Sequence, residues 1–309
     1  MKKLITLISA VLLFISLSTN TSNANNESPV TSDKQGRLFL KQSLGHSHND
    51  YYQRNPLHYA LKANMFSIEA DIFHKDGELY VAHSRDEIKP SRTLKKLYLD
   101  PLNKHFKKHG SIDTEHPFGG QVRTSGLPLI LMVDFKNDGL KCWQTLEKQL
   151  AQYPNLFRHV AIDNEKTTIT PAPVIVVASG QRPVKQISKA TERFVGIDGR
   201  YSTDYHSQAP AHLMPMISTS FSEFLKSVGS QNPNDILIAL TDFKSAAHQK
   251  GRIARIWATP DSTKMWQLLY QSGIQLINTD KPIQLAKYLN SQSQRSNTST
   301  ANAEQNLNK

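Results

Sequence analysis

Pro128-Leu129-Ile130-Leu131-Met132-Val133-Asp134-Phe135 is apolar on both faces until its C-terminal end, where a single carboxylate appears. A run of that kind is a strand buried on both sides, as in a parallel sheet covered by helices. Seven other short apolar runs bounded by turn residues have the same character: 39–46, 66–71, 173–179, 193–198, 213–218, 252–259 and 274–279. Most of the intervening segments have helical spacing. Leu140, Trp143, Leu146 and Leu150 share one face, as do Phe221, Phe224, Leu225 and Val228, and Leu237, Leu240 and Phe243. Eight strands alternating with helices predict an α/β fold, a single (β/α)8 TIM barrel over residues 37–290, close to the ~250 residues such a barrel needs. An extra hairpin is expected between His159 and Ala172, and no repeat or second domain is evident.

The flanks read differently. Lys2 and Lys3 precede 14 mostly apolar residues (4–17), a polar stretch and Ala24. This predicts a cleavable signal peptide over residues 1–24, since the apolar run is short of the ~20 residues a spanning helix needs. The protein is therefore expected to be secreted or periplasmic. Residues 25–36 are expected to be flexible. Residues 291–309 are rich in Ser, Asn, Gln and Thr with Leu307 as their one large apolar side chain, and are expected to be disordered. One cysteine, Cys142, excludes a disulfide-stapled scaffold. Without Lys2 and Lys3 the chain keeps 35 basic against 26 acidic residues, net +9, which suits phosphates or peripheral contact with an anionic membrane.

In a barrel of this kind the chemistry sits where strands end. The first run ends in Gly45-His46-Ser47-His48-Asn49-Asp50, where alternation aims both histidines the same way. The second contains Glu69-Ala70-Asp71, two carboxylates on one face whose burial a cation would relieve. Oxygen donors suit Mg²⁺ or Ca²⁺. Asp76-Gly77 is a tight-turn signal that brings His83 back toward those acids, and Asp134 with Lys136 adds a third carboxylate and a cation. Asp198-Gly199-Arg200 and Trp257 end later strands.

His48, Glu69-x-Asp71, the Asp76-Gly77 turn, Val81-Ala82-His83 and Asp134-Phe135-Lys136 together resemble the phospholipase C-like phosphodiesterase superfamily, in its glycerophosphodiester phosphodiesterase branch. Arg255-Ile256-Trp257-Ala258-Thr259-Pro260 and Ile277-Asn278-Thr279-Asp280 are similar to that branch's last two strands. His46-Ser47-His48-Asn49-Asp50-Tyr51 looks closest to a subgroup that includes a fungal mitochondrial-inheritance protein. Asn49-Asp50 stands where the glycerophosphodiesterase branch has Arg-Gly, and Asp134 where it usually has Glu.

The resemblance implies a phosphoric diester hydrolase. In it Glu69, Asp71 and Asp134 hold one divalent cation. His48 and His83 form the acid and base pair, with His46 as the competing candidate and Lys136 beside the phosphate. Asn49, Asp50, Arg200 and Trp257 contact substrate. The implied substrate is a small-molecule or lipid phosphodiester, with no nucleic acid partner, and the protein is expected to be a monomer. Two alternatives remain at this point. One is an amidohydrolase-type barrel using His46-x-His48 and Asp280, and the other is a non-catalytic protein that binds anionic lipid.

Overall fold

The computed structural model describes residues 30–32, 37–40, 42–109 and 128–307. The expected leader, residues 1–24, lies outside them. Eight strands follow one another along the chain: β1 (Leu44–Ser47), β2 (Ser67–Lys75), β3 (Leu129–Phe135), β4 (Val174–Gly180), β5 (Val195–Arg200), β6 (Met216–Ser220), β7 (Ile253–Trp257) and β8 (Leu276–Thr279). Each is parallel to its neighbours, and β8 returns to β1 with Asn278 opposite His46, so the sheet closes into the expected TIM barrel.

Alternation along each strand separates two cores. Leu129, Leu131 and Val133 of β3 face outward with Ile68, Ala70 and Ile72 of β2, where the helices cover them. Ile130 and Met132 face inward with Ile175, Val177, Met216, Ile253 and Leu276, and fill the lower barrel. The helices stop and start by local chemistry. Ser220 accepts a hydrogen bond from the Glu223 amide at the start of helix Phe221–Val228, and Gly229 ends it in the left-handed conformation (φ 68°).

Above the apolar layers the interior becomes polar. His46, Glu69, Asp198, Ser218, Arg255 and Asn278 are all buried, and such groups persist only when paired. Asp198 accepts from Ser218 Oγ (2.6 Å) and Ser179 Oγ (2.9 Å), and Asn278 Oδ1 accepts from Arg255 Nη2 (2.7 Å).

Asp76 (φ 50°) and Gly77 (φ 79°) form the turn, from which Glu78–Val81 runs back antiparallel along β2. The hairpin expected between residues 159 and 172 is present as His159–Asp163 and Lys166–Thr170, with Glu192–Arg193 added at its edge. One expectation needs correction. The run 39–46 is two strands: Leu38–Leu40 pairs with Val30–Ser32, and Leu40 enters the bottom of the barrel core before β1 begins. That pairing draws on Val30–Ser32 within the segment 25–36, whose other residues lie outside the described ones. The C-terminal segment continues as a helix over Pro282–Leu307. Leu285 anchors its first turns, and no Gly or Pro after Pro282 interrupts it.

Candidate active site

The C-terminal ends of the strands surround a cavity of about 370 Å³ whose lining includes His48, Glu69, His83, Asp134, Arg200 and Trp257. Glu69 and Asp71 lie two residues apart on β2, and Asp134 is the register partner of Asp71 on β3. One oxygen from each of the three lies within 4.8 Å of the others. Asp71 Oδ2 and Asp134 Oδ2 both accept from Lys136 Nζ (2.8 and 3.0 Å), whereas Asp71 Oδ1 and Asp134 Oδ1 are buried with no hydrogen-bond partner. Burial pushes the Asp134 carboxyl upward; Lys136 opposes this, and the charges of Glu69 and Asp71 add to the rise. Unpaired, mutually repelling carboxylate oxygens are a donor set for a hard divalent ion, so the residues present fit Mg²⁺ or Ca²⁺.

Two histidines border this cluster, each held through Nδ1 by a carboxylate. His48 Nδ1 donates to Asp280 Oδ1 (2.7 Å), and His83 Nδ1 donates to Asp71 Oδ2 (2.9 Å). That fixes each ring and leaves Nε2 for proton transfer. Burial lowers the His48 pKa, but the hydrogen bond to Asp280 and the charge of Glu69 outweigh it, so the ring titrates above its ordinary value. Tyr51 ties the two sides together, its hydroxyl lying within hydrogen-bond distance of Asp71 Oδ2 (2.8 Å) and Asn49 Oδ1 (2.9 Å), with one proton to donate between them.

His46 is not at the mouth. It is fully buried, with Nδ1 on Ser67 Oγ (2.7 Å) and Nε2 on Glu69 Oε2 (3.0 Å). Burial, followed by the Arg255 charge, pushes its pKa down to about 3, so a neutral ring positions Glu69. Asp50 is likewise withdrawn from any substrate, because Ser47 Oγ, the Leu57 amide and Tyr98 Oη all donate to its buried carboxylate. Asn49, Arg200 and Trp257 do line the cavity, with Arg200 resting on Asp198 (3.3 Å) and Ser179 Oγ (3.3 Å).

Sequence reasoning missed the roles of Arg255 and Tyr51. Arg255 Nη2 donates to Glu69 Oε2 (2.9 Å), and alternation from Trp257 was the signal that it points inward. Gly180 is a further requirement of the site. It has φ 66°, and a Cβ there would overlap Asp134 Oδ1 and the Phe135 backbone. Gly180→Ala is expected to store about 1–3 kcal/mol of backbone strain and to displace the Asp134 carboxylate. Thermal unfolding with and without Mg²⁺ or Ca²⁺ checks this: the midpoint falls and the shift given by the ion shrinks.

Three carboxylates and two carboxylate-bound histidines thus gather at the C-terminal mouth of a TIM barrel, the end where such barrels carry their chemistry. Residues 41–198 match the AIM6-like phosphodiesterase domain. The altered inheritance of mitochondria protein 6 homolog of Arthroderma benhamiae is 32% identical over 259 residues, which is 76% of this chain and 80% of that protein. Altered inheritance of mitochondria protein 6 of Eremothecium gossypii is 27% identical over 268 residues, 79% of this chain and 68% of that protein. Among solved structures, glycerophosphodiester phosphodiesterase from Agrobacterium tumefaciens aligns with a TM-score of 0.44 and 11% identity, over 80% of this chain and 99% of that one. The chain belongs to the AIM6-like phosphodiesterase family.

Proposed function

We propose that this protein is an exported, divalent-metal-dependent phosphoric diester hydrolase acting on a small-molecule or lipid phosphodiester. The observation that carries the reading is the pair of partnerless oxygens, Asp71 Oδ1 and Asp134 Oδ1, beside two histidines held through Nδ1. Glu69, Asp71 and Asp134 would hold the ion, which when bound supplies neutralisation of phosphate oxygens. His48 and His83 carry out the proton transfers, one removing a proton from the attacking hydroxyl or water and the other protonating the leaving alkoxide. Lys136 and Arg200 place positive charge beside the diester, and Trp257 forms a wall of the pocket.

The leader supports export, and the net positive charge supports peripheral contact with an anionic membrane. We assign no nucleic acid partner and take the protein to act as a monomer. Against the amidohydrolase reading, the side chains able to share a cation among the described residues are three carboxylates without a histidine.

The test is hydrolysis by chelator-stripped protein given Mg²⁺, Ca²⁺, Mn²⁺ or Zn²⁺, on glycerophosphocholine, lysophospholipids, phosphatidylinositol and a chromogenic diester. Activity is expected to return with Mg²⁺ or Ca²⁺ and to disappear in His83→Ala. The ion should also raise the unfolding midpoint, by the equivalent of about 2.7 kcal/mol at a hundredfold excess over its dissociation constant, and Asp134→Asn should remove that shift. Silence with every metal and substrate would overturn the reading.

A further inference from the structure

A second cavity, of about 570 Å³, opens at the other end of the barrel. Its residues come from segments that precede strands. Arg37 lies ahead of β1, His212 ahead of β6, and Lys250 and Arg252 immediately ahead of β7, with Thr167 contributed by the edge hairpin. Among the described residues that line it there is no Asp or Glu. We propose that this cavity binds a phosphate group, separately from the catalytic mouth.

Buried cations stand in the wall and behind it: Arg252 lines the cavity, and Arg158 and Arg193 reach it through His212. Arg158, Arg193 and Arg252 are 4%, 2% and 1% exposed, and the Nε of each, together with Arg158 Nη1, has no hydrogen-bond partner. Arg193 Nη2 donates to His212 Nδ1 (2.6 Å), and Arg158 Nη2 donates to the His212 carbonyl (3.2 Å). A guanidinium has no acceptor, so His212 Nδ1 must carry the lone pair and the ring proton sits on Nε2. His212 is thereby fixed as a donor on the cavity wall. Burial and then the charges of Arg193 and Arg158 push its pKa down to about 4, which keeps that tautomer neutral.

The partners these cations have are mostly carbonyls. Arg252 Nη2 donates to the Ser207 and Ala209 oxygens (2.7 and 2.9 Å), and Lys250 Nζ to that of Tyr205 (2.8 Å). Carbonyls satisfy hydrogen bonds without cancelling charge. The nearby carboxylates stay off the cavity wall and hydrogen-bond elsewhere: Asp204 pairs with Arg182 (2.9 Å), and Glu147 accepts the Phe194 and Val195 amides. A cavity lined by Arg37, Lys250 and Arg252 without a carboxylate, around a neutral N–H donor, matches a compact, multiply charged oxyanion, and guanidinium and ammonium groups are its usual partners. The volume admits the phosphate with an ester substituent.

The test is calorimetric titration of inorganic phosphate into the full chain, beside Lys250→Gln, His212→Gln and the mouth variant Lys136→Met. The mouth variant is expected to retain a phosphate site that Lys250→Gln and His212→Gln each weaken about tenfold, while both keep diester hydrolysis and a cooperative unfolding transition. Two substitutions on different segments guard against one of them misfolding. Phosphatidylcholine vesicles with and without phosphatidylglycerol distinguish the sources. Sedimentation with the anionic vesicles that Lys250→Gln abolishes and phosphate competes assigns a lipid headgroup, whereas phosphate binding without sedimentation assigns the free ion or a soluble ester. Phosphate binding that is unchanged in both cavity variants, or lost entirely in Lys136→Met, would overturn the proposal.

Discussion

His48→Ala is expected to lower kcat for a diester by about a thousandfold, the middle of the range for removing a positioned acid or base, with KM little changed. In the proposed mechanism the ring acts through Nε2, because Nδ1 is held by Asp280 Oδ1 at 2.7 Å. The same contact makes its contribution testable by pH. The hydrogen bond to Asp280 is the largest of the effects that raise the His48 pKa, working against burial. Asp280→Asn should therefore let the pKa fall. If His48 is the acid, activity requires its protonated form, and the alkaline limb of the pH profile moves to lower pH in Asp280→Asn. If it is the base, the acidic limb moves to lower pH instead. Measuring kcat from pH 4 to 10 for both proteins thus assigns the role, and a profile with neither limb displaced refutes the His48–Asp280 coupling.

The strands were legible because burial on both faces leaves an apolar run with a polar residue at its end, as in residues 128–135. The acid cluster was legible for a related reason. Glu69 and Asp71 share a face by strand alternation, and the Asp76-Gly77 turn returns His83 to that face. Partnerships across the barrel were not legible. Arg255 and Glu69 are 186 residues apart, and their pairing depends on closure of the sheet through β8 and β1. Alternation aimed His46 and His48 the same way but did not place the boundary between buried interior and mouth, which falls between them. The break in residues 39–46 escaped for a similar reason, since Leu40 is apolar whether it belongs to a barrel strand or to a pair that closes the barrel's base. Arg158, Arg193 and Arg252 are scattered in sequence, and nothing short of the folded arrangement collects them behind one cavity.

Arg255→Met should be the most destabilising single change at the site, by about 3–5 kcal/mol, because it leaves the Glu69 carboxylate buried without its cation. For a domain of this size that corresponds to an unfolding midpoint lower by on the order of 10 °C. Arg255 Nη2 reaches both Glu69 Oε2 and Asn278 Oδ1, and Nε also donates to Asn278. Arg255→Lys keeps the charge but loses the fork, so it should recover only part of the loss. The pH dependence separates an electrostatic cause from a packing one. Against burial, the Arg255 charge is the largest effect holding the Glu69 carboxyl below its ordinary range, and after burial it is the next largest holding the His46 ring down at about 3. Without Arg255 both groups bind protons more readily in the folded state, while the unfolded chain is unchanged in this respect. The folded variant therefore holds more protons in mild acid than the folded parent and loses less stability as pH falls. The gap between variant and parent should be wide at pH 8 and narrow toward pH 5, with His46 at 3.0 Å and Glu69 itself the groups that bind protons more readily once Arg255 is gone. Chemical denaturation at the two pH values measures it, and a gap independent of pH would assign the loss to packing.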